Sequence, residues 1–131
     1  MVALPDEYPD LGHPLKTPMP CVNLISDLVP AEATERLDTL FAGETTRIER
    51  IVSWGQASAA DFWYDQPEGE WVALLGGKAR LFLRDPDERV ELDPGDWLWI
   101  APHRRHRVDW TEPGVATVWL AVFVGSGAAP C

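Results

Sequence analysis

Histidine, cysteine and basic charge are scarce in this sequence, and each shortage removes a class of protein. Two cysteines, Cys21 and Cys131, in 131 residues form no disulfide framework and no Cys-x-x-Cys pair. Eleven Lys and Arg against 21 Asp and Glu give a formal net charge of −10. A surface of that sign repels nucleic-acid phosphates and anionic membranes. No apolar run approaches the roughly 18–20 residues that span a bilayer. The first residues include Asp6, Glu7 and Asp10 and lack the basic, apolar pattern of a signal peptide. The expectation is a cytoplasmic protein with neither nucleic-acid nor membrane partners. No Ser-His-Asp arrangement, phosphate-binding glycine loop, zinc-finger spacing or internal repeat is visible. His13, His103 and His106 are the whole supply of imidazole.

What is present reads as one domain of short strands. Residues 1–20 hold five prolines, too many missing amide donors for a ladder, and are expected to form an extended N-terminal arm that includes a solvated His13. The rest, 21–131, reads as a single β-domain with its core at 47–124. Residues 22–28 are expected to make a first strand. Residues 31–42 are the one helical stretch: Pro30 suits a first turn, Gly43 a C-cap, and Leu37, Leu40 and Phe41 make an i, i+3, i+4 stripe. From Thr46 the period becomes two, with Ile48, Arg50 and Val52 on one face and Glu49, Ile51 and Ser53 on the other. Residues 62–66 are an aromatic strand candidate, and Gly76-Gly77 between two apolar runs is a hairpin signal. Strand candidates follow at 89–92, 97–100 and 115–124. Short strands with a turn every eight to twelve residues indicate an all-β sandwich or barrel.

The densest stretch runs from Asp93 to Trp110. Pro94-Gly95-Asp96 is a turn, residues 97–100 are a short aromatic strand of buried type, and Ala101-Pro102 ends it. His106 then opens the next strand, with Val108 and Trp110 continuing its phase. Upstream, Glu70 stands seven residues before Gly77, through Trp-Val-Ala-Leu-Leu-Gly. On strand phase, Glu70, Val72 and Leu74 share a face.

These two segments, in this order, resemble the two motifs of the cupin superfamily, over roughly 47–124. The resemblance implies a small β-barrel (a double-stranded β-helix or jelly roll), here with one short flanking helix and the N-terminal arm. It implies a metal site on three histidines and a glutamate, carried here by Glu70 and His106. The family's His-x-His is replaced by Trp63-Tyr64-Asp65-Gln66. With the shorter family spacing Tyr64 and Gln66 take those positions; with the longer, Trp63 and Asp65 do. His103 falls where the family usually has a turn glycine. Only two histidines lie in the barrel region, so a three-histidine site there is excluded. Two histidines and a carboxylate would suit non-haem iron.

The candidate catalytic residues are therefore Glu70, His106 and Tyr64. The candidate metal ligands are Glu70, His106, His103, Asp65 and Gln66, with Glu68 as an alternative to Asp65, for a divalent Fe, Mn, Ni or Zn ion. Arg104, Arg105 and Arg107 either pair with acids or steer an anionic substrate to the mouth. The function expected is a small-molecule metalloenzyme, of oxygenase (such as dioxygenase), isomerase or lyase type. The alternative is a metal-free module that binds or senses a small molecule. The resemblance, the arm and the aromatic strands, which hold most of the seven tryptophans, imply a homodimer.

Overall fold

A computed structural model describes residues 21–26, 28 and 34–125. The arm expected at 1–20, the first part of the expected helix at 31–33 and the tail at 126–131 lie outside the described residues.

Among the described residues eight strands follow one another: β1 (Arg36–Ala42), β2 (Thr46–Ser53), β3 (Gly69–Gly76), β4 (Ala79–Leu83), β5 (Glu88–Leu92), β6 (Trp97–Ile100), β7 (His106–Thr111) and β8 (Thr117–Val124). They form a five-stranded sheet in the order β1-β2-β8-β3-β6 and a three-stranded sheet in the order β5-β4-β7. All pairings are antiparallel. The fold is all-β, a jelly-roll barrel. The inner faces meet in one core: Val72, Leu74, Ile100, Trp119, Ala121 and Phe123 from the larger sheet, Ala79, Leu81, Leu83 and Leu92 from the smaller. Each of these alternates with an outward neighbour, as the period-two pattern requires. Among the described residues no helix is long and apolar enough to cross a membrane.

Several local expectations are corrected, and each correction has a non-local cause. The expected helix is the strand β1 from Arg36 on, because β2 offers a full ladder of partners, Arg36 opposite Val52 through Ala42 opposite Arg47. A bulge between Thr39 and Phe41 inserts Leu40 as an extra residue. That insertion is why Leu37, Leu40 and Phe41 mimic helical spacing in a strand. The expected strand at 22–28 is instead a turn at its described residues, with Asn23 Oδ1 accepting the Ile25 amide at 2.9 Å. Residues 62–66 make only a single bridge, Tyr64 to His106. Gly76-Gly77 is not a hairpin: β3 pairs with β6 and β8, β4 with β5 and β7, so the two glycines carry the chain from one sheet to the other.

Two further corrections concern direction. β6 is the edge of the larger sheet, and Trp97 on its outer face is 54% exposed beside Trp71, with ring centroids 5.7 Å apart. The strand is therefore buried on one face alone. In β7, Val108 faces Leu81 but Trp110 faces Arg80, so Asp109 is a bulge residue. The bulge breaks the phase that joined Trp110 to His106 and Val108. Trp110 turns outward over Arg80, and Thr111, 1% exposed, takes the inward position.

Candidate functional site

The inner faces enclose a cavity of about 220 Å³. Its polar residues come from both sheets, the loop at 64–66 and Glu35 just before β1. Glu70 lies on β3 between Ile100 of β6 and Phe123 of β8. His106 opens β7 opposite Leu83 of β4. The loop at 64–66 runs antiparallel along the start of β7. Tyr64 donates its amide to His106 at 2.8 Å, His106 returns one at 3.1 Å, and the His103 amide reaches the Gln66 carbonyl at 2.7 Å. That ladder points Tyr64 and Gln66 into the cavity.

Trp63 and Asp65 point away. Trp63 packs edge-on against Phe82 with Arg84 and Arg107 beside its ring. Asp65 meets His103 Nδ1 at 2.8 Å, and both side chains are at least half exposed. Tyr64 and Gln66, at the shorter spacing before Glu70, thus stand where the two missing imidazoles would be. Of the candidate residues the structure brings together Glu70, His106, Tyr64 and Gln66. It does not bring His103 or Asp65 to them, and Glu68 is held by Arg47 at 3.0 Å. His103 adopts φ 60°, the left-handed conformation a turn glycine would supply.

His106 and Glu70 face each other across the barrel. Both are more than nine-tenths buried, with His106 Nε2 3.4 Å from Glu70 Oε1. His106 Nδ1 stands 2.8 Å from the Arg104 carbonyl, which can only accept, so Nδ1 carries a proton. In the neutral imidazole the Nε2 lone pair then faces the carboxylate. Tyr64 stacks on the imidazole, with centroids 5.4 Å apart. Burial, and then the carboxylates of Glu35 and Glu70, push the Tyr64 phenol above its usual 10.0. It therefore stays a neutral phenol.

Three charged lining residues carried no functional reading in the sequence: Glu35, Arg47 and Glu49. Arg47 binds Glu49 at 2.8 Å and lies 4.1 Å over the Phe123 ring. The available signal was phase, since Arg47 and Glu49 share a face with Ile51 on β2, and that face is the inner one. Arg104, Arg105 and Arg107 do not line the cavity. They are tied to Glu88, Asp85 and Asp109.

A metal site is tested by its donors. Glu70 and His106 are the strong donors that meet here, and no group of three His, Cys, Asp or Glu residues that could hold an ion occurs among the described residues. The other two positions carry an amide and a phenol that keeps its proton, both weak ligands for the divalent ions considered. The donor set does not fit a resident metal centre.

No protein-family model matches the chain, and no curated protein matches it. Solved structures do. The chain is similar to a candidate mannose-6-phosphate isomerase from Ralstonia eutropha JMP134, at 40% identity and a TM-score of 0.78, over 81% of this chain and 98% of that one. It is similar to a cupin superfamily protein from Desulfitobacterium hafniense DCB-2, at 18% identity and a TM-score of 0.67, over 91% and 98%. It is also similar to a cupin 2 conserved barrel domain protein from Leptotrichia buccalis, at 14% identity and a TM-score of 0.62, over 74% and 44%. With a two-sheet jelly roll, a buried glutamate and histidine on facing strands, and these relatives, the chain belongs to the cupin superfamily.

Proposed function

We propose that this cupin binds a small organic molecule in its barrel and transfers a proton on it, the chemistry of an isomerase or lyase, without a resident metal. The observation that carries the reading is the His106–Glu70 pair, 3.4 Å apart and buried at the cavity wall. An imidazole whose Nδ1–H is held by the Arg104 carbonyl presents its basic nitrogen to the cavity. It can take a proton from a carbon of the bound molecule: the C–H bond breaks, the N–H bond forms, and the electron pair moves toward an adjacent carbonyl. Glu70 stabilises the imidazolium so formed; on an α-hydroxy carbonyl compound the imidazolium then returns the proton to the former carbonyl carbon, while the hydroxyl proton passes to the former carbonyl oxygen and the carbonyl forms at the neighbouring carbon. Tyr64, kept neutral, is able to donate a hydrogen bond to the oxygen that gains charge. The 40% identical relative named as a candidate isomerase supports this reaction class.

The test is proton exchange. Small carbonyl compounds and sugars, mannose 6-phosphate among them, are incubated with the protein in D₂O, and deuterium entry at carbon is followed by NMR. His106→Asn should abolish the exchange, and Glu70→Gln should slow it by about 10²-fold or more. Binding without exchange for every compound would leave the second reading, a module that holds a ligand without turning it over. The amide and phenol of Gln66 and Tyr64 favour that reading, because they suit holding a molecule as well as reacting with one.

A further inference from the structure

The cavity holds more carboxylates than cations. Three carboxylates line it, from Glu35, Glu49 and Glu70, against the single guanidinium of Arg47. Arg47 is already committed to Glu49 at 2.8 Å and Glu68 at 3.0 Å. The acid outnumbers the base even when His106 is protonated.

Hydrogen bonding points the same way. The Glu70 carboxylate, 8% exposed, makes no hydrogen bond among the described residues; its near neighbour is His106 Nε2 at 3.4 Å. In the neutral imidazole that nitrogen is itself an acceptor, because Nδ1 holds the proton against the Arg104 carbonyl. Gln66 Oε1 is a third acceptor, buried without a hydrogen-bond partner among the described residues. A buried amide oxygen is costly to leave unsatisfied, and a buried carboxylate is stabilised by a cation beside it. Burial first, and then the carboxylates of Glu35 and Glu70, hold the Tyr64 phenol above its usual 10.0, in keeping with that balance of charge. Around these acceptors the walls are apolar, with Val72, Ile100, Val108 and Trp119 among them.

We infer that the ligand of this barrel is a small organic cation, a protonated amine or guanidinium on a short apolar body, whose N–H groups bind Glu70 and Gln66 Oε1. This rests on the reading of the cavity as a small-molecule site and names its substrate class. A phosphorylated sugar brings charge of the wrong sign to a wall with one committed cation. The three arginines near His106 do not alter that, because they face outward onto Glu88, Asp85 and Asp109.

The experiment uses the intact chain and three probes of one shape: isoamylamine, isoamyl alcohol and isovalerate. Binding is read at neutral pH by tryptophan fluorescence and calorimetry, with mannose 6-phosphate and Ni²⁺ as further titrants. The amine should bind about tenfold or more tightly than the alcohol, as a charge-assisted hydrogen bond to a buried carboxylate requires, and isovalerate should not compete. Glu70→Gln should collapse the preference for amine over alcohol. The ranking on the unaltered protein stands even if that variant does not fold. Equal or tighter binding of the alcohol overturns the inference and leaves the cavity as a small-molecule site. So does preferential binding of isovalerate or mannose 6-phosphate. Stoichiometric Ni²⁺ binding that displaces the amine also overturns it, since the cation would then be a metal. If none of the probes binds, both the inference and the reading beneath it fall.

Discussion

Tyr64 and His106 are joined by two backbone hydrogen bonds, of 2.8 and 3.1 Å, and their rings stack with centroids 5.4 Å apart. The residue that replaces one family histidine thus positions the one that is kept. Tyr64→Phe preserves the stack and should cost less than about 1 kcal/mol in urea unfolding, whereas Tyr64→Ala should cost about 1–3 kcal/mol. The alanine variant should also weaken ligand binding, because the imidazole loses the ring that holds its plane.

Alkaline pH provides a second check. Burial and the nearby carboxylates of Glu35 and Glu70 raise the Tyr64 phenol above 10.0 in the folded chain. Below that pH both folded and unfolded chains hold the proton, and Tyr64 makes stability no more pH-dependent. Above it the unfolded chain ionises first, so stability falls as pH rises toward the folded value. Melting temperature measured from pH 9 to 11.5 should decline, and the decline should be shallower in Tyr64→Phe. An equally steep decline in that variant would contradict the assignment.

Two glycines separate backbone strain from crowding. Both Gly77 and Gly95 have positive φ, 78° and 96°. A β-carbon on Gly95 meets nothing within 4 Å, while one on Gly77 would overlap Thr117 and approach the Ala116 carbonyl at 2.8 Å. Gly95→Ala should therefore cost only the left-handed strain, about 1–2 kcal/mol. Gly77→Ala should cost about 1–3 kcal/mol more from overpacking at the sheet crossing. Denaturant midpoints of the two variants compare them directly.

Among the described residues Arg50 is the buried charge outside the cavity. It is 8% exposed on the outer face of the larger sheet, with its guanidinium on Asp38 of β1 and the Leu24 carbonyl. Asp38→Ala strands that charge and should cost about 3 kcal/mol or more. Replacing both residues, Asp38→Leu with Arg50→Met, should recover most of the loss. A single variant as stable as the parent would show that the pair contributes nothing to holding β1 in place.

Much of the fold and half of the site were legible locally. The spans 46–53, 89–92 and 97–100 are strands because a chain buried on one face must alternate, and alternation is written residue by residue. Pro94-Gly95-Asp96 and the phase of Glu70 with Val72 and Leu74 are local in the same sense. So was the choice narrowed to Tyr64 and Gln66 or Trp63 and Asp65, since side chains two apart share a face. What composition bounded, the shortage of histidine and basic charge, also held at the site: one imidazole and one guanidinium line it.

Pairing decided the rest. Residues 36–42 carry a helical stripe of Leu37, Leu40 and Phe41, yet form β1, because β2 needs hydrogen-bond partners and a bulge absorbs the extra residue. Gly76-Gly77 reads as a hairpin wherever two apolar runs flank it, and only the sheet order makes it a crossing. The bulge at Asp109 turns Trp110 outward, and a bulge is a property of two strands, invisible in either alone. The same holds for chemistry. Glu70 and His106 are separated by 36 positions and sit on different sheets, so their 3.4 Å approach exists only once the sheets have packed. Arg47 and Glu49 enter the cavity for the same reason: phase says which residues share a face, and tertiary packing alone says which face is the inside.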